Sequence, residues 1–231
     1  MLYIIAGLIA LCAYLLGSIN TSIILSKAFF GQDIRTSGSG NAGATNMLRT
    51  HGKKMAVATL IGDVLKGVIA VLIAVFVDKA IISAIDAATI STFESRFLLG
   101  SLKYIAGIFA VLGHDFPVYF SFKGGKGVAT SLGVMLTLNW QVGLIVVALA
   151  ITIMATSRYV SLGSIIAAAV YPFVLFTFMI AGGEKIANNI TYLFMAVFLG
   201  VLLIVKHSSN ITRLKNGTEN KLFSKKKEEA E

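Results

Sequence analysis

The chain has 231 residues, 56% of them hydrophobic and only 13% charged, against roughly 25% charged in a soluble domain; this excludes a water-soluble globular protein and implies one bundle of membrane helices. Its formal net charge of +9 would suit a nucleic-acid binder, but the basic residues sit in short loops and a tail beside apolar spans, the pattern of membrane topology and anionic lipid contact. A single cysteine, Cys12, excludes an intramolecular disulfide and a cysteine-based metal site.

A membrane-spanning helix takes about 20 apolar residues. The first span covers 2–26. It lacks the positive n-region of a signal peptide, and Leu11 before Cys12 is not the small residue of a lipoprotein signal, so it reads as a retained helix with Cys12 as a small core residue. A glycine-rich loop follows to Lys54. The second span, 55–77, carries Asp63 and Lys66, an i,i+3 ionisable pair that reads equally as functional or as a device fixing helix packing. A mixed loop of 78–96 leads to a third span at 97–113. Two short spans, 128–138 and 142–156, are split by Asn139-Trp140-Gln141, with Trp140 placed as an interfacial aromatic. One longer kinked span over 128–156 is the competing reading. A tight loop at 157–164, spans at 163–181 and 191–205, and a basic tail complete the chain.

These seven spans predict the fold class, an all-α polytopic bundle. Residues 1–205 form a single transmembrane domain. A C-terminal segment, 206–219, adds to the site, and 220–231 is a disordered tail. Loops 27–54, 114–127 and 157–162, together with the tail, hold fifteen lysines and arginines, from Lys27 to Lys227. The opposite face and nearby helix ends hold Lys79, Arg96, Lys103 and Lys185. The excess places the first face in the cytoplasm, the N-terminus outside and the C-terminus inside.

The polar, glycine-rich segments all fall on that inner face. The first is SGSGNAGATNMLR at 37–49. Its glycines permit close backbone approach to a ligand, Ser39, Asn41, Thr45 and Asn46 add small polar groups, and Arg49 offers a planar fork for an oxyanion. A phosphate or carboxylate cradle explains this composition better than a linker does. The second, FKGGKGVAT at 122–130, only partly fits the P-loop G-x-x-x-x-G-K-[ST]. Phe120 stands at the first glycine and Gly127 follows Lys126 where Ser or Thr would bind Mg²⁺, so no nucleotide is implied. Backbone N–H groups opening a helix beside Lys126 still suit phosphate. The third, RYVSLGS at 158–164, offers Ser161 and Ser164 as ligands or helix N-caps. In the fourth, leaving the last span, His207, Asn210 and Arg213 fall at i, i+3 and i+6, along one helical stripe. His114 reads as a residue bonded to a backbone carbonyl beside Pro117.

Together these segments resemble one family, the bacterial membrane glycerol-3-phosphate acyltransferases that use acyl-phosphate, the PlsY family. SGSGNAGATNMLR is similar to its first motif, GHDFPVYFSFKGGKGVAT to its second, RYVSLGS to its third and KHSSNITRLKNGTE to its C-terminal segment; GDVLKG in the second span also fits. The resemblance runs over about residues 17–219. It implies a seven-helix bundle in the bacterial inner membrane and transfer of a fatty acyl group from acyl-phosphate to the 1-hydroxyl of sn-glycerol 3-phosphate, giving lysophosphatidic acid and phosphate. By motif position it implies Ser39, Arg49, Lys126, His207 and Asn210 as the catalytic set. Gly40, Asn41, Gly43, Thr45, Asn46, Gly124, Gly125, Gly127 and Ser161 would bind substrate. Partners are the two substrates and the bilayer, not nucleic acid; no cofactor and no metal are expected.

Acyl-phosphate is a mixed anhydride, so positioning and charge neutralisation can carry most of the acceleration. Arg49 and Lys126 would hold phosphates, and backbone N–H groups of residues 40–43 would steady the developing oxyanion. The acceptor proton goes to His207, given a pKa near neutral, or to a substrate phosphate oxygen. A transporter of phosphate or an organic phosphate is the alternative function; it would need a midplane site, often with inverted repeats, and no repeat is found. No acid lies five residues after any histidine, and Cys12 reads as buried, so acyl-phosphate rather than acyl-CoA is the expected donor.

Overall fold

A computed structural model of the chain describes residues 2–84, 93–184, 186 and 189–222, and for residues 93–97 the backbone only. All regular structure among the described residues is helical: α1 (Leu2–Ser18), α2 (Thr21–Phe30), α3 (Ala44–Ala84), α4 (Phe93–Asp115), α5 (Val128–Leu138), α6 (Trp140–Ser157), α7 (Val160–Ala181), α8 (Ile190–Lys206) and α9 (Ser208–Lys215). By length and composition, four candidate spans cross a membrane, namely Leu2–Phe30, α3, α6 and α7; α8 with α9, bent by 57°, makes a fifth.

The first span is two helices and runs beyond residue 26. Asn20 breaks it, because its side chain accepts the Ile23 N–H at 3.2 Å and caps α2. The second span is longer at both ends than 55–77. It begins where the glycine-rich loop stops, at Ala44, and is interrupted at Gly52, whose φ of 82° only glycine adopts without strain. The predicted loop of 78–96 is helical through Ala84 and again from Phe93; its centre, the Lys185 position and the tail from 223 lie outside the described residues.

Residues 128–157 form two helices, not one. Asn139 ends α5 and caps α6 by accepting the Val142 N–H at 3.0 Å. A Cβ on Gly143 would stand 3.2 Å from the Leu136 backbone nitrogen, a contact possible only if the chain folds back at Asn139. At 11 residues α5 is about 16 Å long, short of a hydrocarbon core of roughly 30 Å. Trp140 is exposed at this turn.

Small residues let the helices touch. Gly17 of α1 lies against the Ala110 backbone of α4, and Gly67 of α3 against the Thr130 backbone of α5, the close approach typical of membrane helix interfaces. The outer surface is apolar, with Leu8, Phe76, Phe173 and Val201 exposed. Cys12 is on that surface too; α1 turns it outward among Leu8 and Leu11, so it is not a core residue. One large apolar cluster joins α3–α8, from Val71 and Val111 to Leu175 and Met195, and leaves a cavity open above it.

Candidate functional site

The four polar segments meet at one end of the bundle. Arg35 fastens the first loop to the second. Its guanidinium is held by Asp33 (2.7 and 2.9 Å) and donates to the Phe120 and Lys123 carbonyls, both at 2.8 Å. That guanidinium lowers the Asp33 pKa to about 2 against the opposing push of burial. Within the first loop, Asn46 is buried. Its Oδ1 accepts the Ser39 N–H at 2.8 Å, and its Nδ2 donates to the Ile34 and Ser37 carbonyls. The Asn46 amide is therefore engaged in holding the loop, and only the loop's rim is left to meet a ligand.

The second loop rests on the end of α4. The Gly124 N–H donates to the Asp115 carbonyl at 3.3 Å and the Gly125 N–H to the His114 carbonyl at 3.1 Å. A Cβ on Gly125 would strike the His114 ring, so glycine is required by contact. Gly127, with φ of 71°, then turns the chain into α5. Its neighbour Lys126 donates to Asn210 Oδ1. Burial, then the nearby Arg213, push the Lys126 pKa down to about 8.

The C-terminal segment completes the cluster. Asn210 lies on α9 and is buried. Gly217 turns the chain back, with the Thr218 N–H donating to the Arg213 carbonyl at 2.9 Å. This brings Glu219 into the centre. Its Oε1 accepts from Ser161 Oγ at 3.1 Å and Asn210 Nδ2 at 2.9 Å, and its Oε2 accepts from Arg213 Nε at 2.8 Å. Burial pushes its pKa up, but the Asn210 and Arg213 hydrogen bonds outweigh this and hold the carboxyl below the usual range. Arg49 reaches the Asn220 carbonyl at 3.3 Å, and the Leu222 N–H donates to the Arg158 carbonyl at 2.7 Å.

His207 sits at the bend between α8 and α9. Its Nδ1 lies 2.7 Å from the Leu203 carbonyl. A carbonyl can only accept, so Nδ1 carries the hydrogen and Nε2 is the basic atom. Burial, then Lys126, push the His207 pKa down to about 4, below the near-neutral value expected of a general base; the ring is neutral at pH 7 but only weakly basic there.

A cavity of about 610 Å³ opens among these residues. Its polar end is lined by Asn41, Gly43, Thr45, Arg49, Lys126, Gly127, Ser161, His207, Asn210 and Glu219; Asp63 and His114 also line it, and its wall continues along apolar residues of α3 and α5–α8 to Tyr171 and Leu199. Three helices, α3, α5 and α7, start at this polar end, so their free N–H groups and dipoles add to the cations. Ser39 and Gly40 are exposed at the rim and do not line the cavity, and neither do Asn46, Gly124 and Gly125. The Gly40 and Gly43 N–H groups donate to the Ser37 and Asn41 carbonyls, so those two are engaged within the loop and are not free for an oxyanion. Ser164 lines the cavity with its hydroxyl on the Val160 carbonyl, and Tyr159, not either serine, is the N-cap of α7.

Sequence reasoning missed Glu219 as the hub and Arg35 as the brace. The signal for Glu219 was a carboxylate placed just past a glycine turn from Arg213. It also misread His114, which is buried with Nδ1 2.8 Å from Lys66 Nζ and not on a carbonyl. Among the described residues no three His, Cys, Asp or Glu side chains come together to hold a metal.

The family model described as glycerol-3-phosphate acyltransferase matches residues 7–217. A glycerol-3-phosphate acyltransferase of Clostridioides difficile (strain 630) is 46% identical over 219 residues, 95% of this chain and 96% of the relative. One from Thermoanaerobacter pseudethanolicus is 43% identical over 222 residues, 95% and 97% of the two chains. The crystal structure of PlsY (YgiH), an integral membrane glycerol 3-phosphate acyltransferase, in its glycerol 3-phosphate form, superposes with a TM-score of 0.74 at 38% identity over 94% of this chain and 95% of that one. With its apolar helices and this neighbour, the chain is a multi-pass membrane protein.

Proposed function

Because the chain belongs to the glycerol-3-phosphate acyltransferase family, we propose that it transfers a fatty acyl group from acyl-phosphate to the 1-hydroxyl of sn-glycerol 3-phosphate in the bacterial inner membrane, giving lysophosphatidic acid and inorganic phosphate. The observation that carries this reading is the shape of one cavity: a cation-lined end at three helix N-termini, continuous with an apolar trough inside the bundle. Phosphates suit the first part and an acyl chain the second.

In the reaction the C1 hydroxyl oxygen bonds to the acyl carbonyl carbon. The bond from that carbon to the phosphate oxygen breaks, and phosphate leaves with the electron pair. The hydroxyl proton passes to His207 Nε2 or to a phosphate oxygen. Lys126 and Arg49 neutralise the phosphates, and Asn210 and Ser161, now on Glu219, orient the reacting groups. Val128 and Ala129 backbone N–H groups open α5 at the cavity and supply donors for developing charge. Of the residues implied by motif, Asn41, Gly43, Thr45 and Gly127 meet ligand at the rim, and Ser39 and Gly40 act from outside it. Asn46, Gly124 and Gly125 shape the two loops.

The reading includes seven spans, with α1–α2, α3, α4, α5, α6, α7 and α8 each crossing, the short α5 where the bilayer thins locally to match it, the N-terminus outside, and the site, segment 206–219 and the tail inside. Basic loops around the cavity support it. Protease added to intact cells should leave the tail uncut; cleavage there would overturn the topology. For the activity, protein reconstituted in sealed vesicles with glycerol 3-phosphate and acyl-phosphate should make lysophosphatidic acid. Glycerol 3-phosphate carried across the vesicle wall with no lysophosphatidic acid formed would establish a transporter instead.

A further inference from the structure

The trough ends at a definite depth. Along α7 the cavity is lined by Ser161, Ser164, Ala167, Ala168 and Tyr171, spaced i, i+3, i+4 so that they share one face. Between the serines and Tyr171 that face carries only alanine, so Tyr171 is its first large side chain, and it is 3% exposed. Ten residues of helix put Tyr171 about 15 Å beyond Ser161. The walls from α5, α6 and α8 stop at the same level, at Met135, Val146 and Leu199, and α3 lines the cavity as far as Asp63. One turn deeper, Val142, Leu175 and Met195 are fully buried and close-packed, and none of them lines the cavity. In the same apolar cluster Tyr192 stacks on Tyr104 at 4.9 Å between ring centroids.

We infer that the Tyr171 ring is the floor of the acyl subsite and sets the longest chain that the cavity takes in whole. This rests on the acyltransfer reading above. An extended saturated chain advances about 1.25 Å per carbon, from C–C bonds of about 1.5 Å, so about twelve carbons fill the depth from Ser161 to Tyr171. Each methylene inside is worth about fourfold in binding, and each one past the floor gains nothing there. A longer chain must fold back or leave sideways, where Val57, Leu60 and Ile151 both line the cavity and are exposed on the outer surface.

The test uses purified full-length protein, glycerol 3-phosphate and acyl-phosphates from decanoyl to octadecanoyl. The readout is kcat/KM for each donor, compared between variants so that donor solubility cancels. Tyr171→Ala should raise the octadecanoyl-to-dodecanoyl ratio about fifteenfold, the worth of roughly two further buried methylenes. Tyr171→Phe keeps the ring and should keep the wild-type profile. Ala168→Leu narrows the trough above the floor and should shift preference to shorter chains; this variant carries the test if Tyr171→Ala fails to fold. An unchanged profile in active Tyr171→Ala or Ala168→Leu would overturn the floor and assign long chains to the sideways opening. Wild-type protein inactive with every acyl-phosphate would instead overturn the donor reading, a different result from an active enzyme with an invariant profile.

Discussion

Two polar clusters share this bundle, and they differ in charge balance. In the interior, Asp63 accepts from Thr21 at 3.1 Å and pairs with Lys66 at 2.9 Å, and Lys66 also donates to the Ile19 carbonyl at 2.9 Å. The side chains of the ion pair are 5% and 1% exposed. One cation meets one carboxylate, and the pair is held by Thr21 of α2, the Ile19 carbonyl between α1 and α2, and the His114 ring of α4, with Asp63 and His114 on the wall of the same cavity. At the cavity mouth, Arg49, Lys126 and Arg213 gather around the single carboxylate of Glu219. The interior cluster is balanced without a ligand. The mouth has an excess of positive charge that an anion would complete. The comparison teaches that buried charges differ in how far their neighbours balance them, a distinction that burial alone does not make.

The largest expected effect breaks the interior pair. Lys66→Met leaves Asp63 buried without its cation and should lower stability by about 3–5 kcal/mol. The double variant Asp63→Asn/Lys66→Met, which removes both charges, should lose much less. Thermal unfolding in detergent measures both, and a Lys66→Met protein as stable as wild type would remove the pair from its structural role. At the mouth the pattern should invert. Lys126→Ala should lose about 10²- to 10³-fold in kcat/KM, the scale of one charge-stabilising donor, with its unfolding midpoint nearly unchanged. A large stability loss with turnover intact would reverse the roles of the two clusters.

Much of this was legible in the sequence. The three-residue spacing of His207, Asn210 and Arg213 predicted one polar stripe, and Asn210 and Arg213 do meet at Glu219. Loop charge and glycine content predicted that four distant segments share one face, and Arg35, Lys126 and Arg49 join them. Helix lengths were less legible. Hydropathy does not register a cap such as Asn20, nor a helix that continues past its apolar run, as α3 does to Ala84. Side-chain direction was not legible either. Asn46 turns into its own loop, and Gly124 and Gly125 are required by packing on α4, while their composition alone suited a phosphate cradle equally well.

Two smaller effects sharpen the mouth. Because burial and Arg213 lower the Lys126 pKa to about 8, activity that needs its ammonium is full below that pH. It should fall as pH rises through about 8, well before the 10.4 of an ordinary lysine. A kcat/KM profile flat to pH 10 would detach Lys126 from the reaction. Arg49→Lys keeps the charge but loses the planar fork. Arg49 is exposed, so the loss should sit near the lower end for a charge-assisted hydrogen bond, about 1.5 kcal/mol or roughly tenfold in kcat/KM. Wild-type kinetics in Arg49→Lys would take Arg49 out of phosphate binding.

The central claim is that the excess cations at the mouth hold phosphates attached to the reacting groups themselves. Its most direct test is the choice of donor: purified protein with glycerol 3-phosphate and either acyl-phosphate or acyl-CoA at equal concentration, with lysophosphatidic acid measured. A CoA thioester carries its diphosphate far from its carbonyl, so the cluster around Lys126 and Arg213 cannot grip its reacting end. The account predicts product from acyl-phosphate and essentially none from acyl-CoA; comparable product from acyl-CoA free of acyl-phosphate would contradict it.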